Sequence, residues 1–515
     1  MVKRDMNNKN NSVIKQQLAN KRLLITGCTG FLGKVLLEKI IREIPDVASI
    51  TLLIRGSKKY PTAEERFKHE IASASIFDAL REKDSAALDR ILSEKVRCVT
   101  GEITEDDFGL EQSEWKALSQ QVDLIINSAA SVNFREPLDQ ALSINTLSLF
   151  NLINFSDAAG NIPLVHVSTC YVNGFNEGQM GENIVGPTGK KITQHSDGYY
   201  DVESLIPEFQ DAIEKTKKAN KDKSKLSEEL TELGARTANL YGWNDVYTFT
   251  KWMAEQVLLH RFKSKTLTIL RPSIIESTYI DPVGGWIEGV KVADAMIMAY
   301  ARQKVSFFPG RKDSLMDIIP ADFVSNSILY SAAKTIKEPG TNRIYQCCSG
   351  DANPITVQKL IDYVVEEGKS NYAKYDRLFY AKPEKPFNVL NKSVFQAVIG
   401  LVVFQANAFY KAKKLLGLKP SSKVIDNLEV VKALSKIYAF YGDMNVVFNN
   451  HKMMALVEEF GEADKKLFPV DAALIDWQHY IRDVHFAGLQ KYALEDRKVI
   501  QMRREQAKQQ VNSAA

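Results

Sequence analysis

Apolar and polar positions follow two rhythms along the chain. Short apolar runs of strand length occur at Lys21–Thr26, Ser49–Ile54, Val96–Thr100, Val122–Asn127, Pro163–Ser168 and Thr266–Leu270. Longer stretches with helical spacing lie between them; Phe31–Ile44 places Leu32, Val35, Leu36, Leu37, Ile40 and Ile41 on such a pattern. Strands alternating with helices predict an α/β fold with a parallel, doubly wound sheet. No internal repeat breaks this order.

Two regions depart from the alternation. Residues 175–243 separate a strand from a helix by far more than a normal connection. Their lysine- and glutamate-rich centre, Glu214–Glu232, reads as a solvated helix. Residues 351–515 open on the turn Asp351-Ala352-Asn353-Pro354 and then read almost wholly helical. The expected organisation is a flexible segment 1–20, an α/β domain 21–350 with an insertion at about 175–243, and a helical domain 351–515 with a frayed basic tail from Lys491. Val394–Phe404 is the most apolar run, shorter than the roughly 20 residues of a membrane span. A buried helix is the default reading. A helix lining a lipid pocket or lying on a membrane surface is the alternative.

Composition narrows the class. The 515 residues are 45% hydrophobic and 25% charged. These values are those of a soluble globular chain and exclude a disordered chain, a fibre and a multi-span membrane protein. The net charge of +4 gives no reason to expect nucleic acid as a partner. The 5 cysteines are irregularly spaced, as reduced thiols are. The 7 histidines form no motif with metal-ligand spacing, so no metal is expected. Met1–Asn20 is polar and lacks a signal peptide's apolar stretch, which predicts a cytoplasmic protein.

Candidate chemistry clusters at the ends of the predicted strands. Gly27-Cys28-Thr29-Gly30-Phe31-Leu32-Gly33 follows one strand and opens a helix. Such a turn brings backbone N–H groups and a helix N-terminus to a pyrophosphate. Arg55 stands at the end of the second strand, followed by Lys58 and Lys59. An arginine there accommodates the 2′-phosphate of NADP, where an acid would bind the ribose of NAD, so NADPH is expected. Tyr247 and Lys251 lie at i and i+4, on one helical face. A nearby ammonium lowers a phenol's pKa and suits it to proton transfer. Ser168 and Thr169 end another strand, where a hydroxyl can donate to a carbonyl oxygen; Thr169 is preferred. Asn127-Ser128-Ala129-Ala130 ends a further strand with small residues, as expected where a cofactor passes close.

These pieces, with Leu270-Arg271-Pro272-Ser273, resemble the extended short-chain dehydrogenase/reductase superfamily. Tyr241–Lys251, Arg271–Ile275, Gly285-Trp286-Ile287, Ile319–Asp322 and Ser349–Thr356 narrow the likeness to alcohol-forming fatty acyl-CoA reductases, closest to their short bacterial members. Glu102 stands where an aspartate is more usual. The resemblance implies a Rossmann domain with a Thr169–Tyr247–Lys251 constellation supported by Ser168. It further implies cofactor contacts from Thr26, Gly27, Thr29, Gly30, Phe31, Leu32, Gly33, Arg55, Glu102, Ile103, Asn127, Ala129, Ala130, Asn145, Pro272, Ser273 and Ile274, besides Tyr247 and Lys251.

The implied reaction is a four-electron reduction of long-chain acyl-CoA through fatty aldehyde to primary alcohol. Two NADPH are consumed, coenzyme A is released, and the helical domain buries the acyl chain. Contact with a membrane or lipid droplet, and the oligomeric state, stay open. A nucleotide-sugar epimerase or dehydratase would share the triad but not need the helical domain. A thioester reductase stopping at aldehyde is the nearest enzymatic rival. A redox sensor binding NADPH without turnover would not need both Tyr247 and Lys251.

Overall fold

A computed structural model describes residues 12–303, 305–416, 428, 432 and 438–495. The chain divides into two compact units, and the division is not a single cut near residue 350. Unit 1 comprises 1–275, 319–352 and 446–473; unit 2 comprises 276–318, 353–445 and 474–515.

Unit 1 is built on seven parallel strands: β1 Arg22–Thr26, β2 Ser49–Ile54, β3 Val96–Thr100, β4 Leu124–Asn127, β5 Leu164–Val167, β6 Leu267–Pro272 and β7 Asn342–Cys347. Their order is β3-β2-β1-β4-β5-β6-β7, with Thr26 paired to Leu53 and Asn127, and Asn127 to His166. All six residues of β2 and of β6 are buried. Strands covered on both faces read as unbroken apolar runs, which is why the sequence shows them. The seventh strand is the one the apolar pattern misses. Asn342, Arg343 and Gln346 interrupt it, and as an edge strand it pairs only with β6 among the described residues.

Helix α1, Val13–Leu18, lies inside the segment expected to be flexible. Ile14 and Leu18 are fully buried, and Asp464 accepts from the Ser12 hydroxyl at 2.5 Å and from the Val13 N–H at 2.7 Å. This capping ties residues 12–18 to the unit; residues 1–11 and the tail 496–515 lie outside the described residues.

The long connection forms two helices rather than one. Ile206–Ala219 ends at Asn220, and Lys223–Tyr241 begins under an Asp222 cap that accepts from Ser224 and Lys225 N–H groups. Their polar faces are solvated, but Phe209, Ile213, Leu230 and Tyr241 are buried. They meet the helix Val246–Arg261, where Trp243 and Trp252 pack with ring centroids 4.4 Å apart and Tyr241 stacks on Phe249 at 5.5 Å. Trp243 Nε1 donates to the Val172 carbonyl at 3.0 Å and Trp252 Nε1 to that of Val185 at 2.8 Å. The insertion thus clamps the helix that carries Tyr247 and Lys251.

Unit 2 is mostly helical, with helices at Asp294–Ala301, Val357–Asn371 and Lys392–Leu415. A short parallel pair joins Phe307–Pro309 to Asn388–Leu390. Its interior holds a polar network. His485 Nδ1 lies 2.9 Å from Ser277 Oγ, and its Nε2 lies 2.7 Å from Asp294 Oδ1. Glu276 is buried beside them, and the three ionisable groups fall within 4.8 Å of one another. Burial first, and Asp294 second, raise the Glu276 carboxyl well above the usual range. The sequence shows no histidine cluster here because folding, not spacing, gathers these residues.

The Lys392–Leu415 helix differs from the buried helix expected. Only Phe395, Ile399 and Val403 are buried, whereas Val394, Val398, Leu401, Phe404 and Phe409 are exposed. It is long and apolar enough to cross a membrane by length and composition, with 17% of its most apolar window buried.

Candidate active site

The carboxyl ends of β1, β4 and β5 lie side by side where the strand order reverses. Open α/β sheets bind their ligands at such a point. After β1 the chain turns at Gly27 with φ +77°, a left-handed conformation glycine adopts without strain. A Cβ there would stand 2.7 Å from Ala129 N, and one at Gly33 would stand 2.4 Å from the Gly27 carbonyl oxygen. The turn, the β4 loop and the helix Phe31–Glu43 therefore interlock only as glycine allows. Gly30 caps that helix without a capping side chain, and its N-terminal N–H groups and dipole favour an anion. Thr29, Phe31 and Leu32 are half-buried around it, and Thr26 is fully buried.

Arg55 ends β2 and is 65% exposed, with Nη1 3.4 Å from Glu102 Oε2. So long and exposed a pair is weak, and it leaves the guanidinium available. Glu102 also faces the Thr104 N–H at 3.4 Å, and the buried Ile103 accepts from Asn151 Nδ2 at 2.9 Å. Arg55 and Glu102, both expected to contact the cofactor, thus share one corner.

Ala129 and Ala130 are half-buried after β4. Asn127 turns inward: its Oδ1 takes the Thr26 hydroxyl at 2.5 Å and the Ala129 N–H at 3.3 Å. Asn145 braces this loop. It accepts from Ser131 N–H at 2.9 Å and donates to Ser131 O at 3.1 Å and to Thr250 Oγ1 at 3.0 Å. Both asparagines are thus engaged with protein groups. Pro272 closes β6, and Ser273 and Ile274 follow it into the interior. The Ser168 and Ser273 hydroxyls are buried with no hydrogen-bond partner among the described residues. Unpaired buried hydroxyls are costly, so both stand ready for a ligand. With the glycine cradle, they fit a nicotinamide dinucleotide.

Tyr247 and Lys251 lie one turn apart on the Val246–Arg261 helix, which Asp245 caps by accepting from the Thr248 N–H at 2.9 Å. The Thr169 hydroxyl faces the Tyr247 phenol and favours its ionised form. Its ring meets Phe134 edge-on with centroids 5.7 Å apart. Burial pushes the phenol up, Asp245 adds to this, and Thr169 opposes it. Tyr247 is therefore a protonated phenol at neutral pH. The expectation that Lys251 lowers its pKa is not met in this state, because the lysine is turned elsewhere. Lys251 Nζ donates to the Val167 carbonyl at 2.7 Å and lies 3.1 Å from His166 Nε2. Burial brings the Lys251 amine down to about 7, with Glu255 opposing. Glu255 is itself paired at 2.6 Å with the buried Arg271.

The structure thus brings Ser168, Thr169, Tyr247 and Lys251 together at the end of β5. The residue the sequence reading passed over is His166. Its signal was a titratable side chain inside an apolar strand.

Comparison with known proteins agrees with this geometry. Two family profiles, both described as male sterility protein, match residues 25–328 and 403–496; the first is an NAD-binding profile. The chain is 32% identical over 500 residues to fatty acyl-CoA reductase 2, chloroplastic, of Arabidopsis thaliana, covering 93% of this chain and 79% of that protein. It is 28% identical to the alcohol-forming fatty acyl-CoA reductase of Simmondsia chinensis, covering 93% and 99%. Among solved structures, the terminal R domain from the myxalamid PKS-NRPS pathway superposes with TM-score 0.56 at 18% identity, over 92% of this chain and 90% of that one. This last likeness is one of fold alone. The match over most of the chain, with a nicotinamide-dinucleotide site at its glycine turn, places this protein in the fatty acyl-CoA reductase family.

Proposed function

We propose that the chain reduces long-chain fatty acyl-CoA through fatty aldehyde to primary alcohol, releasing coenzyme A. The observation that carries this reading is the Thr169–Tyr247 hydroxyl pair, with Lys251 one helical turn away, beside a turn shaped for a dinucleotide. When bound, the nicotinamide supplies the electron pair for each reduction. Thr169 and Tyr247 hold the substrate carbonyl oxygen by donating to it. Their bonds strengthen as that oxygen gains charge. Tyr247, held as a phenol by its surroundings, then delivers the proton as general acid. Lys251, one helical turn from Tyr247, is proposed to restore a proton to it and to hold a ribose hydroxyl once the cofactor is bound.

Exposed Arg55, with Lys58 and Lys59 nearby, supports NADPH over NADH. Unit 2 is proposed to receive the acyl chain, since each buried CH₂ contributes about 0.8 kcal/mol. The exposed apolar side of Lys392–Leu415 supports contact with a membrane or lipid-droplet surface. The quoted motifs are what support a short bacterial type; the relatives named above are plant proteins.

The test is product stoichiometry with a long-chain acyl-CoA. About two NADPH should be consumed per alcohol formed, since each reduction uses one nicotinamide. Aldehyde accumulating at one NADPH each would favour a thioester reductase. No net NADPH oxidation would favour an epimerase or a sensor.

A further inference from the structure

A buried chain of hydrogen bonds runs from the glycine turn to the lysine of the active site. The Thr26 hydroxyl meets Asn127 Oδ1 at 2.5 Å, Asn127 Nδ2 meets His166 Nδ1 at 3.0 Å, and His166 Nε2 meets Lys251 Nζ at 3.1 Å. All four residues are buried, Thr26 fully and the other three at 1% exposure. The backbone N–H of Ala129 can only donate, and it stands 3.3 Å from both Asn127 Oδ1 and Thr26 Oγ1. With Asn127 Oδ1 taking the Thr26 hydroxyl and sharing this N–H, its amide N–H faces His166.

Nδ1 of His166 must then accept, so the ring proton of the neutral imidazole sits on Nε2. That proton points at Lys251 Nζ. An ammonium has donors only, and two donors cannot share a bond. The bond closes only if Lys251 is an amine, accepting from Nε2–H and donating to Val167 O.

We infer that His166 is a positioning residue: through Nε2–H it holds Lys251 in the amine form and at a fixed place, and Asn127 sets the tautomer that makes this possible. The inference rests on the proposed reductase reading and names how its lysine is controlled. Burial acts in the same direction on both partners. It lowers Lys251 to about 7 and keeps His166 uncharged. The other charged group acting on Lys251 is Glu255, on its own helix, which is neutralised by Arg271 of β6. Tyr247, one turn before, is an uncharged phenol. The amine form makes Lys251 able to take up a proton at neutral pH and to pass it toward Tyr247. The proton moves from solvent to the Lys251 amine, from the ammonium to the Tyr247 phenolate, and the amine is regenerated.

Two measurements test this. The first needs no activity: nitrogen-15 and carbon-13 NMR of histidine-labelled enzyme, with His166→Gln assigning the signal among the 7 histidines. His166 should be the neutral Nε2–H tautomer from pH 6 to 9, and an Nδ1–H tautomer would overturn the inference. The second is the pH profile of kcat/KM for aldehyde reduction. His166→Gln offers a carbonyl that accepts from the ammonium. Asn127→Asp draws the ring proton to Nδ1 and leaves Nε2 as an acceptor. Both should move the alkaline midpoint upward by about one pH unit. A lowered rate with an unmoved midpoint in both variants would show a merely structural histidine. If the wild-type enzyme fails to reduce acyl-CoA or aldehyde, the reductase reading falls, while the tautomer still decides the role of His166.

Discussion

At the scale of single residues, the site separates a proton donor from a cofactor anchor. Tyr247 packs edge-on to Phe134, so its ring is held without its hydroxyl. Tyr247→Phe should fold normally, keep NADPH affinity, and lower kcat by roughly 10²–10⁴, the usual worth of a general acid. Stopped-flow rates with acyl-CoA and with added aldehyde check this. Unimpaired aldehyde reduction would mean a second site. Arg55 is at the opposite end of the proposed cofactor path, exposed and loosely paired with Glu102. Arg55→Ala should weaken NADPH binding by about 1.5–3 kcal/mol, a charge-assisted hydrogen bond, and leave NADH binding nearly unchanged. Equal loss for both cofactors in fluorescence titrations would assign Arg55 a structural role instead.

Among the elements, two helices show opposite solutions for apolar residues. The Val246–Arg261 helix is buried from Thr248 through Leu258, and the insertion's aromatic rings lock it. Its rigidity fixes the Tyr247–Lys251 geometry. The Lys392–Leu415 helix leaves Leu401 57% and Phe404 70% exposed, with Lys411 and Lys414 exposed near its end. An apolar face followed by lysines suits a lipid surface with anionic headgroups. The full chain should co-sediment with phosphatidylglycerol-containing vesicles, and Leu401→Glu with Phe404→Glu should remove most of the bound fraction. Equal sedimentation of both proteins would rule this helix out as the contact.

For the whole molecule, the balance of buried charge gives stability a pH dependence. Glu276 holds its proton in the folded state to well above its ordinary 4.5. The folded protein therefore binds a proton that the unfolded chain releases, and stability from this group falls as pH rises above about 4.5. Glu276→Gln is neutral throughout and removes that loss. Its melting temperature relative to wild type should rise between pH 5 and pH 8, by up to about 1.4 kcal/mol of stability per pH unit. A constant difference across that range would show that Glu276 is ionised and paired.

The sequence by itself determined the sheet and the ligand-binding end of it. Strands buried on both faces are written as apolar runs, and the Gly27–Gly33 turn is written in glycines because a Cβ would collide with Ala129 or Gly27. Tyr247 and Lys251 were legible because i and i+4 share a helical face. Tertiary structure alone decided what those residues face. The edge strand Asn342–Cys347 was hidden by its polar residues, and the helix at 13–18 gained its order from Asp464, 452 residues beyond Ser12. The partners of Lys251 were equally hidden. His166 reaches it across 85 residues, and Asn127 reaches His166 across 39. Protonation states depend on such distant neighbours and on burial, and neither is a property of local sequence.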